Sequence, residues 1–84
     1  VGLANRHYAL GALKEAEAVL RLAVARHPDS VPLLNNLAQI LSDLGRNSEA
    51  LVLVEQAMQP KENPFAAAVR ETHALILQRM GENR

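Results

Sequence analysis

The histidines and serines of this chain are the side chains best suited to catalysis or metal binding, but neither set forms a known reactive pattern. No histidine has a metal-ligating residue three or four positions further along, and the chain has neither cysteine nor an H-E-x-x-H segment. No serine lies in a G-x-S-x-G segment. These residues therefore predict no metal site, no cofactor and no catalytic centre. The histidines are His7, His27 and His73, and the serines are Ser30, Ser42 and Ser48.

The charged residues balance one another, which argues against nucleic acid as a partner. Nine Lys and Arg residues offset nine Asp and Glu residues, whereas phosphate binding depends on an excess of cations. The carboxylates lie mostly near predicted helix starts, where the helix dipole stabilises them without any catalytic role. No apolar run reaches the roughly 18–20 residues that cross a bilayer, so we expect no membrane insertion. A chain without cysteine suits the cytosol and the periplasm alike.

The elements that carry these side chains repeat along the sequence. Leu3-Ala4 returns as Leu37-Ala38, and Leu10-Gly11 returns as Leu44-Gly45, each 34 positions later (3 to 37, 10 to 44). Met80-Gly81 gives a weaker third echo, 36 positions after the second (44 to 80). A fixed period of this length indicates stacked helical hairpins, which present a surface rather than perform chemistry.

Breaker residues divide the chain into five predicted helices. Gly11 and Gly45 suit the left-handed position that closes a helix, and Pro28 ends another. Asn63 and Pro64 suit the cap and the first turn of the last helix. The five predicted helices cover residues 1–10, 13–27, 31–44, 47–59 and 64–80. Short links favour antiparallel neighbours, so the predicted fold class is all-α, although residues 51–54 alone also fit a buried strand.

The repeating unit resembles the tetratricopeptide repeat, whose pattern is W-x2-L-G-x2-Y, then A-x3-F, then P. Residues 34–41 read Leu-x2-Leu-Ala-x2-Leu, and residues 50–54 read Ala-x3-Val. The resemblance implies a right-handed solenoid of stacked antiparallel hairpins, with Ala4, Ala38 and Ala74 where paired helices approach closely. It covers the whole chain, residues 1–84, with about two and a half repeats. These are a partial repeat at 1–30, a full repeat at 31–63 and a capping first helix of a third repeat at 64–84.

The same resemblance implies a non-catalytic module that binds a peptide or a helix of a partner protein in a concave groove. The first helices of the hairpins would line this groove, and the lining is rich in Asn and Gln. Because amides both donate and accept hydrogen bonds, they suit the backbone of an extended peptide. The alternative is that these side chains are ordinary solvated helix faces. The predicted groove residues are Asn5, Tyr8, Asn35, Asn36, Gln39, Ser42, Asp43, Glu71, Leu75, Gln78 and Arg79.

The sequence bears on three other interpretations. A carboxylate clamp like that of some family members is disfavoured, because Val1, Ala68 and Thr72 stand where the clamp needs cations. The chain is also weakly similar to the tail of a larger bacterial enzyme of a secreted, peptidase-like kind. Finally, the open N-terminal end of the first helix is suited to self-association as a homodimer.

Overall fold

A computed structural model describes residues 2–60 and 63–82, with side chains for 11–60 and 63–81. The regular structure of these residues is entirely helical, which confirms the all-α fold class. Residues 51–54 lie within a helix rather than a strand. The helices are α1 (Gly2–Arg26), α2 (Val31–Asp43), α3 (Asn47–Ala57) and α4 (Ala66–Glu82).

The described residues thus form four helices rather than the five that the sequence predicted, because α1 continues straight through Gly11. The turn at Gly45 shows which contacts end a helix, and these contacts are missing at Gly11. Gly45 has a φ of +86°, its N–H donates to the carbonyl of Ser42, and the next N–H donates to the carbonyl of Leu41. This is a Schellman closure of the helix. The Ser42 hydroxyl also donates to Asn47 Oδ1 at 2.6 Å and so bridges the turn.

At Gly11 no such closure is available from the local sequence. The positions 34 residues before Ser42 and Asn47 hold Tyr8 and Leu13, and leucine cannot make that hydrogen bond. Glycine inside a helix costs only about 1 kcal/mol relative to alanine. A strong helix-forming context on both sides therefore outweighs the weak break, and the predicted hairpin opens into one long helix.

The other links follow their predicted chemistry. Ser30 caps α2, with Leu33 N–H 3.5 Å from its hydroxyl, and proline occupies the first turn. Asn63 Oδ1 accepts from Phe65 N–H at 2.9 Å, as expected of a cap. Its amide nitrogen donates to the Ala57 carbonyl at 3.0 Å. Asn63 therefore ties the end of α3 to the start of α4, although regular helix begins only at Ala66.

Helix α2 lies at the centre of the molecule and packs against α1, α3 and α4. Three small residues, Ala38, Ala50 and Ala57, are completely buried, so the close approach predicted for Ala38 is confirmed. The buried apolar residues are Leu34, Leu37, Ala38, Leu41, Ala50, Val54, Ala57, Val69 and Ile76.

Ala74, predicted to fill the same slot in the third repeat, is exposed instead. The residue buried there is Thr72, 34 positions after Ala38, and it is only 2% exposed. Val69 and Ile76 likewise lie 34 positions after the buried Asn35 and Ser42. The buried positions of α4 therefore keep the strict period of 34. The prediction for Ala74 was wrong because it used the 36-residue spacing of Met80-Gly81 instead of the period of the buried residues. The side chain of Ala4 lies outside the described residues.

Candidate protein-interaction surface

Polar side chains of α2 and α4 meet along one side of the molecule, which we call the α2–α4 surface. It comprises the residues that link the two helices and the exposed residues beside them. The linking residues are Gln39, Ser42, Asp43, Thr72 and Arg79, and the exposed neighbours are Asn36, Arg70 and Leu77. Gln39 Nε2 donates to Thr72 Oγ1 at 3.1 Å. The Thr72 hydroxyl in turn donates to the Ala68 carbonyl one turn earlier in α4, also at 3.1 Å. Since Thr72 is buried, this bond fixes the side-chain position of Gln39.

A second link joins the ends of the same two helices. Arg79 Nη1 donates to the Ser42 hydroxyl at 2.9 Å and to Asp43 Oδ1 at 2.8 Å. The ion pair between Arg79 and Asp43 is more than a third exposed on both sides, so its contribution to stability is small. What the link does is set the orientation of α4 against α2, because Ser42 is itself buried and bound to Asn47.

The predicted groove residues divide into several groups in the structure. On α2, Asn36, Gln39 and Asp43 are exposed, whereas Asn35 and Ser42 are buried. On α4, Glu71, Leu75 and Gln78 are exposed and Arg79 is half-buried. The structure joins Gln39 to α4 through Thr72, and it joins Ser42 and Asp43 to Arg79. The side chains of Asn5 and Tyr8 lie outside the described residues.

Asn35 is unusual among these residues because it is a buried amide. It is 7% exposed, and its Oδ1 atom has no hydrogen-bond partner among the described residues. A buried acceptor without a donor costs about 1–3 kcal/mol.

The period of 34 shows that two of the predicted α4 residues, Glu71 and Leu75, belong to a different face from the exposed α2 residues. Glu71 and Leu75 lie 34 positions after Leu37 and Leu41, which are buried in the core. The positions matching Asn36, Gln39 and Asp43 are instead Arg70, His73 and Leu77. Of these, Arg70 and Leu77 are exposed and His73 is half-buried. Sequence reasoning missed Arg70 and Leu77 on this surface, and applying the strict period to α4 would have found them. It also missed Thr72, which the same period places at the position of the buried Ala38.

A cluster of four charged side chains lies where α1 meets the turn between α2 and α3. Arg46 Nη1 donates to both carboxylate oxygens of Glu17, at 2.9 and 2.8 Å. Its Nε and Nη2 donate to the two oxygens of Glu49, at 3.0 and 2.8 Å. Arg21 donates to Glu17 at 2.7 Å and to Glu49 at 3.2 Å. Each carboxylate is therefore held by both guanidinium groups.

The cluster shifts the proton equilibria of its members. The hydrogen bond from Arg21 is the main cause that lowers the pKa of Glu17, and partial burial opposes it. The hydrogen bond from Arg46 likewise lowers the pKa of Glu49, and the same contact raises the pKa of Arg46. The four side chains satisfy one another's hydrogen bonds. We therefore assign them to holding α1 on the turn rather than to binding or catalysis.

A cleft of about 650 Å³ shares no lining residue with either polar feature. Among the described residues that line it, Asp29 is the one ionisable residue. Within the described parts of the chain, no three His, Asp or Glu side chains are placed to share a metal ion. The described helices also include none with the length and apolarity needed to span a bilayer. The cleft residues are Pro28, Asp29, Val31, Leu34, Gln56, Gln59 and Pro60.

Comparison with known proteins matches this arrangement to one family. A family model described as tetratricopeptide repeat matches residues 2–76. No curated protein and no solved structure matches the chain. The match includes all of α1, both helices of the α2–α3 hairpin and more than half of α4.

Proposed function

Because the chain belongs to the tetratricopeptide repeat family, whose members serve generally as protein-interaction modules, we propose that its α2–α4 surface binds an extended peptide or a helix of a partner protein. In this proposal the helices continue the right-handed stacking of the family, with α4 as the capping helix of the stack. The module itself is non-catalytic and needs no cofactor.

The proposal rests on two exposed amides of α2, one of which is held in place by a hydrogen bond to α4. Asn36 and Gln39 are exposed on α2, three residues apart and so on neighbouring turns of one helix face. Gln39 uses its Nε2 atom on Thr72, which leaves its carbonyl oxygen to accept from a ligand. Ordering Gln39 before the ligand arrives removes part of the entropy cost of binding.

The neighbouring positions on α4 suggest what the ligand contains besides its backbone. Leu77 is 47% exposed and offers a contact for an apolar side chain. Arg70 is exposed and suits a carboxylate, because a guanidinium makes charge-assisted hydrogen bonds. We therefore expect the bound segment to combine an apolar residue with an acidic one.

A random peptide library displayed on phage, selected against the intact chain, provides ligands for the test. Binding of the selected peptides is then measured by calorimetry for Asn36→Ala, Gln39→Ala and Gln56→Ala. Gln56 is an exposed amide on α3 and is the matched control. We expect the two α2 variants to weaken binding about tenfold each, as when hydrogen bonds of roughly 1.5 kcal/mol are lost.

Helicity measured by circular dichroism must stay unchanged in all three variants. Equal affinity of the Asn36→Ala variant and the Gln56→Ala variant would contradict the proposed surface. Loss of helicity in the Asn36→Ala variant would make that residue structural and would also count against it.

A second candidate function is self-association as a homodimer through the first helix. It is favoured by the incomplete burial of the apolar side chains of α1. Leu13, Ala16 and Leu20 are only half-buried on this helix, and Val19 and Leu22 are 65% and 68% exposed. Covering this apolar face would remove it from water. Sedimentation velocity at increasing protein concentration tests the idea, and a strict monomer at millimolar concentration would refute it.

A further inference from the structure

The uncovered face of α1 corresponds to a face that is fully covered on α3. Ala50 and Val54 of α3 are completely buried. Their counterparts 34 positions earlier, Ala16 and Leu20, are half-buried. The difference follows from the neighbours, because α3 packs against both α2 and α4, while α1 packs against α2 alone among the helices in the described chain. Helix α1 therefore lacks a second neighbouring helix in the place that α2 takes beside α3.

Helix α4 has the opposite deficiency. Glu71 and Leu75 stand 34 positions after Leu37 and Leu41, which are buried in the α2–α3 hairpin. Both α4 residues are exposed, and no helix of the described chain covers them. Helix α4 is thus equivalent to α2 without an α3. Within the described chain, α1 and α4 therefore present two complementary halves of one hairpin.

We propose that the occupant of the α1 face is α4 of a second copy of this chain, so that the two halves complete a hairpin between molecules. This proposal rests on the self-association proposed above and names its second surface. The new contact would continue the packing already seen between α2 and α3. It leaves the α2 amides that we assign to peptide binding outside the contact, and it shares only Arg70 with the proposed peptide site.

The register of the α2–α3 hairpin predicts which residues would meet. Ser42 lies opposite Asn47. The residue 34 positions after Ser42 is Ile76 of α4, and the residue 34 positions before Asn47 is Leu13 of α1. Ile76 of one copy would therefore lie opposite Leu13 of the other. Because the helices are antiparallel, moving five residues back along α4 to Glu71 moves five residues forward along α1 to Ala18.

Charges in this register are complementary. Glu71 would lie near Lys14, which precedes Ala18 by about one turn. By the same shift, Arg70 would lie one turn from Glu15 of the other copy. Glu71, Lys14, Arg70 and Glu15 are all exposed in the single chain, so they are available for this contact. Leu75 would lie next to Leu13 and add apolar contact at the same place.

Such a contact joins two different surfaces, so it is heterologous and allows further copies to add. We therefore expect dimers at moderate concentration and longer species at high concentration, rather than a closed symmetric dimer. Association should also weaken as the salt concentration rises, because salt screens the attraction between the opposite charges of the two copies.

Sedimentation velocity on the full chain tests the proposal with a charge swap. The variants are Glu71→Lys, Lys14→Glu, the double variant that carries both changes, and Glu55→Lys as a charge-matched control on α3. Like charges placed together at an interface are repulsive, so each single reversal in the contact should weaken association about tenfold or more. The double variant should restore it, and the control should associate like the wild type.

The outcomes separate the new contact from the broader proposal. Wild-type association that neither reversal affects would leave self-association standing and would overturn the pairing of α4 with α1. A wild-type chain that stays monomeric at every concentration would overturn both. Reversals that weaken association without rescue in the double variant would overturn the register. Circular dichroism of each variant verifies that the helices are intact.

Discussion

Helices α1 and α3 carry the same small and apolar pattern 34 residues apart, yet the face that carries it is fully buried only on α3. Ala50 and Val54 are 0% exposed, while Ala16 and Leu20 are half-buried. The sequence pattern identifies which face of a helix is suited to packing. Burial then depends on how many helices reach that face, because repeat units bury their apolar surface only against neighbours.

The two glycines that mark the repeat also differ in structure, although the sequence pattern is the same at both. Gly45 adopts a φ of +86° and turns the chain between α2 and α3, whereas Gly11 lies inside α1. The difference lies in the residues around each glycine. Ser42 and Asn47 bridge the turn at Gly45, and the corresponding positions in α1 hold Tyr8 and Leu13.

The largest expected effect compares one leucine from each region. Leu41 is fully buried, so Leu41→Ala should lower the free energy of unfolding by about 2–5 kcal/mol. Leu20→Ala removes the same atoms from a half-buried site, and we expect a loss of less than about half that amount. Urea denaturation followed by circular dichroism measures both. Equal losses would mean that α1 is as well packed as the α2–α3 hairpin.

The two glycines should respond to alanine with opposite signs. Gly45→Ala places a side chain in a left-handed conformation and should destabilise the protein by about 1–2 kcal/mol. Gly11→Ala replaces a helical glycine with nothing within 4 Å of the new Cβ, so it should stabilise α1 by up to about 1 kcal/mol. Thermal unfolding distinguishes these outcomes. Destabilisation by Gly11→Ala would show that the chain turns at Gly11 in solution.

The smallest expected effect concerns the charged cluster. The pKa values of Glu17 and Glu49 are lowered by their guanidinium partners, so these carboxyls bind protons less readily in the folded state than in the unfolded state. Their contribution to stability is complete above the unfolded-state pKa of about 4.3 and is lost as the pH falls through the lower folded-state values.

The test of the cluster is stability as a function of pH in the Glu17→Gln variant. We expect a smaller decrease in the free energy of unfolding below pH ~4.3 than in the wild type. Glu55→Gln, an exposed change on α3, controls for the loss of one carboxylate. An unchanged pH dependence in Glu17→Gln would show that the cluster does not hold α1 in solution.

Much of the fold could be predicted from the sequence because its signals are local. The caps at Ser30 and Asn63, the turn at Gly45 and the apolar positions of α2 all depend on residues within a few positions of one another. The straight course of α1 could not be predicted from Gly11 alone, since it depends on a missing side-chain bridge. The register of α4 was predicted incorrectly because a local echo was preferred to the period that tertiary packing obeys.

The interaction surface was less predictable because it depends on which polar side chains bond across helices. Exposure of Asn36 and Gln39 follows from their places on α2. The burial of Asn35 beside them and the bond between Gln39 and Thr72 depend on how α4 docks. Single-residue patterns do not determine that docking geometry.

The central claim, that the α2–α4 surface binds protein segments, is tested most directly by mapping a selected peptide onto the chain. Backbone amide shifts of the labelled protein are recorded by NMR during titration with the tightest peptide from the phage selection. We predict that the largest shifts fall at Asn36, Gln39 and Arg70, and that α3 changes little. Shifts centred instead on Gln56 and Gln59, in the cleft at the other side of the molecule, would contradict the account.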